Sequence, residues 1–315
     1  MKYSVIMSIY NEPLKYIKSS IDSILSQTLK NFEFIIVIDN PDREDVYDIL
    51  QTYLASDARV KVLSNERNMG LAYSLNKAIK YSVGNYIFRM DADDISYPER
   101  FEKQINFMEK YHLDFSATLI EVMDEDEETL YKQKNINKNY FSEDIYRMLS
   151  NRCVLSHPTW CVKRAVFLRL DGYRNIVPAE DYDFLLRLAL SGIKCGLIGD
   201  ILLRYRSNAN GISQTNQYKQ YIYAAILQDW FKNGQMLNVD YIPIYLESYI
   251  NSNKFCQKHL KKYLDFKFSS SLIAKKVFWG GFLFFKYPFA RRLIIQDFNI
   301  YKIKILNGKR TTDDE

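Results

Sequence analysis

Asp91, Asp93 and Asp94 fall within four positions, in Arg89-Met90-Asp91-Ala92-Asp93-Asp94, directly after the apolar residues Tyr86, Ile87 and Phe88. Three carboxylates so close repel one another, and each binds its proton more tightly unless a cation or hydrogen-bond donors hold it ionised. Hard oxygen ligands of this kind suit Mg²⁺ or Mn²⁺. An EF-hand is excluded, because the sixth position of such a loop would be Ser96 where Gly is required. A second acidic group, Glu180-Asp181-Tyr182-Asp183, opens a segment with Phe184, Leu185, Leu188 and Ala189 on one helical face. Carboxylates in a first turn answer the helix dipole, and one of them can equally serve as a general base. Taken alone, the first group reads as a solvated turn and the second as a dipole partner. Their context changes that.

The elements around them alternate. Tyr3 to Ile9, Phe32 to Ile38, Val60 to Leu63 and Tyr86 to Met90 are short apolar runs, and each of the first three is followed by a helical pattern. Leu14, Ile17, Ile21, Ile24 and Leu25 mark the first helix, Val46, Ile49, Leu50 and Tyr53 the second, Leu71, Leu75, Ala78 and Ile79 the third. This order predicts an α/β fold with a doubly wound, mostly parallel sheet over residues 1–215. Such sheets hold ligands at the carboxyl edge of the strands, where Asp91 would lie. Ser96-Tyr97-Pro98-Glu99 has the spacing of a capping box and predicts a helix carrying Phe101, Ile105 and Met108. The acidic run Glu121 to Glu128 is expected to be a solvated loop or hairpin tip without chemistry. Tyr140 to Ser150 is expected to be helical, Lys194 to Ile198 and Ile201 to Tyr205 to be two short strands, and residues 207–211 a loop.

Residues 216–315 differ: the pattern becomes helical and rich in Tyr, Lys and Phe. The chain carries a net charge of +5, yet Lys254 to Glu315 holds fourteen basic and five acidic residues, so the preceding part is acidic. Val277 to Phe285 is apolar and flanked by Lys275, Lys276, Lys286, Arg291 and Arg292. It fits an interfacial helix on an anionic membrane and equally a core helix of the appendage. No apolar stretch reaches the roughly 18 residues that span a bilayer. Cys153, Cys161, Cys195 and Cys256 form no CxxC pair, and four cysteines in 315 residues make no disulfide scaffold. A cytoplasmic protein in a reducing compartment is expected, with peripheral attachment to the inner face of the membrane open to its tail. No nucleic-acid partner is expected.

Ser8-Ile9-Tyr10-Asn11-Glu12, Asp39, Asn68-x-Gly70, Asp91-Ala92-Asp93-Asp94 and Glu180-Asp181 occur in an order that resembles glycosyltransferase family 2, from Met1 to about Ser213. The resemblance implies a GT-A fold and an inverting transfer from a nucleotide sugar, with a UDP-sugar as the expected donor. It implies that Tyr10, Glu12, Asp39, Asn68 and Asp91 line the nucleotide, that Asp93 holds Mn²⁺ or Mg²⁺, and that Asp181 is the base. His157, Trp160 and Glu180 would lie on the acceptor side, facing a saccharide or lipid-linked saccharide. The second strand departs from the family habit of two Asp followed by Gly-Ser, with Ile38 before Asp39 and Asn40-Pro41 after it.

Other readings lack their residues. A sugar-nucleotide pyrophosphorylase needs a glycine-rich basic loop where Tyr10-Asn11-Glu12-Pro13 stands, and a processive membrane synthase needs Gln-x-x-Arg-Trp, which Gln228-Asp229-Trp230 does not match. GxGxxG and GxxxxGK are absent. A non-catalytic sugar- or nucleotide-binding scaffold is the alternative from another class.

Overall fold

The structure is a computed structural model that describes residues 2–133, 138–207, 217–236, 238–242, 244–246, 291–292, 294–296 and 299. The first half is the expected alternation: β1 (Tyr3–Ile9), α1 (Leu14–Leu25), β2 (Phe32–Ile38), α2 (Glu44–Ser56), β3 (Val60–Ser64), α3 (Leu71–Tyr81) and β4 (Tyr86–Asp91). There follow β5 (Ile95–Ser96), α4 (Arg100–Lys110), β6 (Phe115–Met123), β7 (Thr129–Lys132), β8 (Tyr140–Phe141) and α5 (Ser142–Leu149). The last described part holds β9 (Cys161–Lys163), α6 (Arg164–Arg169), α7 (Glu180–Leu190), β10 (Cys195–Arg206) and α8 (Gln217–Lys232).

These strands form one sheet in the order β3-β2-β1-β4-β9-β6-β10-β5, with β7 on β6 and β8 on β10. The first four run parallel, as do β6 and β10, while short β9 lies antiparallel between β4 and β6. All seven residues of β2 are buried, as a strand covered on both faces requires. Its one charge, Glu33, is held by Ser4 Oγ (2.6 Å), Lys61 Nζ (2.7 Å) and the Val83 N–H (2.7 Å). Gly84 turns the chain into β4 so close to β1 that a Cβ would sit 2.5 Å from the carbonyl carbon of Tyr3. No other residue fits there.

Alternate residues of the strands feed two cores. Ile6, Val37 and Ile87 pack with α3, α5, α7 and α8, whereas Val5, Met7 and Phe88 pack with α1, α2 and α4. Ile222, Ile226 and Leu227 of α8 belong to the first core, so the first helix beyond the expected boundary at 215 closes the domain's own apolar face. Arg292, expected among the basic flanks of an interfacial helix, instead donates to Asp229 (2.9 and 3.0 Å) and to the Ala225 carbonyl (3.0 Å). Gln296 is buried, and Asn299 Nδ2 donates to Asn151 Oδ1 (3.1 Å). Among the described residues no helix is long and apolar enough to cross a membrane. The stretch Val277 to Phe285, its flanks Lys275, Lys276 and Lys286, residues 208–211 and the end from Thr311 lie outside the described residues.

Three local expectations change. The capping box is not made: Glu99 is the residue before α4 and forms no side-chain cap, while Ser96 pairs with Leu203 in the sheet. The Ser96 hydroxyl accepts from Gln27 Nε2 (3.1 Å), and Gln27 Oε1 accepts from the Phe101 N–H (3.2 Å) in its place. The two strands expected at 194–205 are one, β10, whose register against β6 shifts on either side of Ile201. Gly199-Asp200 is therefore a bulge rather than a turn. Residues 124–128 do form the tip between β6 and β7, but Glu121 lies inside β6, buried, against Lys132 (3.0 Å) and Arg204 (3.4 Å).

Candidate active site

Parallel pairing with β1 sets Asp91 level with Ser8, so the aspartates emerge at the carboxyl edge beside Tyr10. The Ser20 hydroxyl of α1 donates to the Asp91 carbonyl (2.7 Å). Carboxylate oxygens of Asp91, Asp93 and Asp94 lie within 4.8 Å of one another. Arg89, buried in the same strand, forms an ion pair with Asp91. Arg206, at the end of β10, fixes the turn from the other side: its N–H reaches Asp94 Oδ1 (2.8 Å) and its Nε reaches the Asp93 carbonyl (2.8 Å). The rest of that guanidinium donates to the carbonyls of Asp124 (3.1 Å) and Glu125 (3.3 Å) and to Glu127 Oε1 (2.9 Å), and it lies 3.9 Å over the Tyr16 ring. The acidic hairpin tip is thus fastened to the aspartate turn.

Those donors leave the group short of positive charge. Burial, then the charges of Asp91 and Glu12, push Asp93 up to about 7. Burial and the neighbouring Asp93 and Asp91 raise Asp94 well above the carboxylate range, and its Oδ2 is buried without a hydrogen-bond partner among the described residues. An all-oxygen set with an orphaned carboxylate oxygen fits Mg²⁺ or Mn²⁺.

The nucleotide side adjoins it. Tyr10 is 40 % exposed at the strand end, and its N–H donates to Glu12 Oε2 (2.7 Å). Burial, with some help from Asp91, raises Glu12. Asp39 is 2 % exposed and already accepts from Asn65 Nδ2 (2.7 Å) and the N–H groups of Met69 (2.8 Å) and Gly70 (2.9 Å). A carboxylate has about four acceptor positions, so one is left for a ligand. Asn68 is exposed, and its Oδ1 accepts from the Gly70 N–H (3.0 Å). Gly70, with φ of 86°, takes the left-handed conformation that lets the chain enter α3.

The other acidic pair sits at the start of α7. Glu180 is 6 % exposed, its Oε2 has no partner among the described residues, and burial with the Asp181 charge pushes it to about 7. Asp181 is half-buried and raised by burial, although the Tyr182 N–H (2.6 Å) and the charge of Arg89 oppose the shift. Cys153 Sγ lies 3.9 Å from Asp181 Oδ2. Asp183, two residues on, is held by Arg174 (2.9 Å) and Arg187 (2.8 Å) and is structural. His157 is 9 % exposed, with Nε2 2.9 Å from the Tyr173 hydroxyl, and burial beside Arg89 holds its ring neutral. Trp160, expected toward the acceptor, is 0 % exposed in the core between Phe115, His157 and Phe184. The β9 strand that follows draws it inward, so the indole packs against the His157 ring within the core.

A family model described as Glycosyl transferase family 2 matches residues 4–170, more than half of the chain. The chain belongs to glycosyl transferase family 2. An uncharacterized glycosyltransferase of Methanocaldococcus jannaschii, MJ1057, is 36 % identical over 245 residues, covering 75 % of this chain and 81 % of its own. The O-antigen biosynthesis glycosyltransferase WbnJ of Escherichia coli is 36 % identical over 208 residues, 64 % of this chain and 78 % of its own. The solved structure of S. aureus TarS 1-349 in complex with UDP-GlcNAc superposes with a TM-score of 0.60 at 18 % identity, over 99 % of this chain and 92 % of that one. The architecture this chain shares with TarS is the GT-A fold.

Two residues of the glycosyltransferase escape a reading of its sequence. Arg89 and Arg206 are both buried, and Arg89 influences Asp91, Asp181, Glu180 and His157 at once. A charged residue inside an apolar strand run, immediately before the aspartates, was the available sign of the first. Arg206 carries no such mark, since its partners lie more than 75 positions away.

Proposed function

We propose that this glycosyltransferase is a metal-dependent, inverting hexosyltransferase that moves a sugar from a UDP-sugar to a hydroxyl of a saccharide or lipid-linked saccharide acceptor, in the building of a bacterial surface polysaccharide. The observation that carries this reading is two separate acidic groups. Asp93 and Asp94 are raised by burial and by carboxylates crowded within 4.8 Å at a strand end, whereas Glu180 and Asp181 hold raised carboxyls at a helix start. Asp93 and Asp94 would hold Mg²⁺ or Mn²⁺, with Asp91 toward the ribose. When bound, the metal supplies Lewis-acid neutralisation of the charge that develops on the departing diphosphate.

The remaining work falls to the chain. Tyr10 offers an exposed ring edge to the nucleobase, Asp39 presents its last acceptor position to the base, and Glu12 and Asn68 border the ribose. Asp181 takes the proton of the acceptor hydroxyl as the new bond forms at the anomeric carbon, a general-base contribution of about 10²–10⁴-fold. Burial raises the proton affinity of that base and Arg89 lowers it. Neutral His157 faces the acceptor side as a hydrogen-bonding group. Support for a UDP-sugar comes from TarS, crystallised with UDP-GlcNAc, and support for a polysaccharide pathway from WbnJ, named for O-antigen biosynthesis. The cytoplasmic face of the membrane is the proposed location, with the basic tail from Lys254 giving peripheral attachment.

Incubation with UDP-GlcNAc and UDP-hexoses in Mn²⁺ tests the reading without an acceptor, because water can replace it slowly. The expected result is Mn²⁺-dependent release of UDP, with the free sugar first seen by NMR in the anomer opposite to the donor's. A scaffold protein hydrolyses none of them, and release of the donor's own anomer would exclude inversion.

A further inference from the structure

A cavity of about 420 Å³ lies against the segment that leads into α7. Asn175, Ile176 and Pro178 line one side, Lys219 and Tyr223 of α8 another, and Ile242 a third. Pro178 is three residues before Asp181, so their Cα atoms are at most about 11 Å apart, and the cavity wall runs directly into the turn that carries the proposed base. Its wall is rigid. The Ile176 N–H donates to the Arg174 carbonyl (2.8 Å) and the Ala179 N–H to the Ile176 carbonyl (2.7 Å), while Arg174 is fastened to buried Asp183. Asn76 clasps the neighbouring Tyr173 through both its N–H and its carbonyl (2.8 Å each).

The lining is that of a sugar subsite with a charge preference. Its volume falls within the roughly 300–1,000 Å³ of small-ligand pockets. Apolar Ile176, Pro178 and Ile242 and the half-buried Tyr223 ring suit the C–H face of a pyranose, and the exposed Asn175 amide can both donate and accept. Lys219 and Tyr223 share a helix face at i and i+4, with Nζ 5.7 Å from the ring centroid. Among the described residues lining the cavity, Lys219 is the only charged one. A ring packed on Tyr223 therefore places its substituents beside an ammonium and beside no lining carboxylate.

We propose that this cavity binds the acceptor's second sugar, the one next to the unit that accepts, and that this sugar is acidic, bearing a carboxylate or a phosphate. The proposal rests on Asp181 being the base toward which the acceptor hydroxyl points. The enzyme then reads its acceptor at two places: the hydroxyl at Asp181 and an anionic ring at Lys219.

Saturation-transfer NMR on the full chain, with UDP and Mn²⁺ saturating so that the donor site is filled, tests it with three probes. These are methyl β-D-glucuronide, glucose 6-phosphate and neutral methyl β-D-glucoside. At least one charged probe should bind about fivefold tighter than the neutral one, as a partly exposed ion pair allows. Whichever charged probe prevails identifies carboxylate or phosphate as the source. Lys219→Ala should erase that preference with an unchanged melting temperature, and Tyr223→Ala should weaken all three. Equal affinities, a preference that survives Lys219→Ala, or no saturation transfer to any probe would overturn it. Mn²⁺-dependent hydrolysis of a UDP-sugar by the same wild-type preparation separates failure of the subsite from failure of the glycosyltransferase reading.

Discussion

The aspartate turn after β4 and the acidic pair at the start of α7 are both crowded, and in both burial raises the carboxyls, yet they differ in which donors reach them. At the turn, side-chain and backbone donors from Arg89 and Arg206 reach Asp91, Asp93 and Asp94, and still Asp94 Oδ2 is orphaned and Asp93 sits near 7. At the helix start burial raises both carboxyls, Glu180 to about 7, while the Tyr182 N–H and the charge of Arg89 hold Asp181 back. In the proposed reading the turn holds the metal and the helix start supplies the base, so similar residues divide two jobs.

The largest effect should come from the helix start. Asp181→Asn keeps size and part of the hydrogen bonding but takes no proton, so turnover should fall by about 10²–10⁴-fold in a steady-state assay while donor affinity stays near wild type. A residue present only for the helix dipole would instead cost about 0.3–1 kcal/mol of stability and leave turnover near normal. Asp93→Ala should act on the other group: affinity for UDP in Mn²⁺ should drop about 100-fold or more, with the metal-free melting temperature unchanged or higher because repulsion is relieved. Calorimetric titration of Mn²⁺ with UDP checks this.

Arg206→Lys keeps the charge but loses the planar fork that joins the turn to the hairpin tip. Mn²⁺ affinity in the presence of UDP should weaken by about tenfold, an effect of orientation rather than of ligation. The smallest effect is on stability against pH. Glu180 is held near 7 in the folded chain against an ordinary value of 4.5, so the folded state keeps a proton that the unfolded state releases between those values. Stability from that proton is complete below the ordinary value and is lost as pH rises through about 7. Glu180→Gln cannot lose it, so the melting temperature of the variant relative to wild type should climb from about pH 5 to about pH 8. Scanning calorimetry across that range reads the difference.

What could be seen in the sequence was local. An apolar run followed by three aspartates places carboxylates at a strand end, and Glu180-Asp181 before Phe184 and Leu185 places others at a helix start, because both patterns span only a few residues. The four βα units were legible for the same reason. What could not be seen depends on partners brought together by folding. Arg206 reaches Asp93 across 113 positions, and Gln27 rather than Ser96 caps α4 across 74. The family resemblance puts Trp160 beside an acceptor, but nothing in the sequence discloses that β9 enters the sheet between β4 and β6 and draws the indole into the core. Asp39 was legible as a polar strand end, while its three donors from Asn65, Met69 and Gly70 were not.

The division of labour is tested most directly by one titration, UDP into wild type, Asp93→Ala and Asp181→Asn, each with and without Mn²⁺. Mn²⁺ should tighten UDP binding to wild type and to Asp181→Asn alike, and should have no effect on Asp93→Ala. Loss of the Mn²⁺ effect in Asp181→Asn, or its survival in Asp93→Ala, would contradict the assignment of metal to the strand end and base to the helix start.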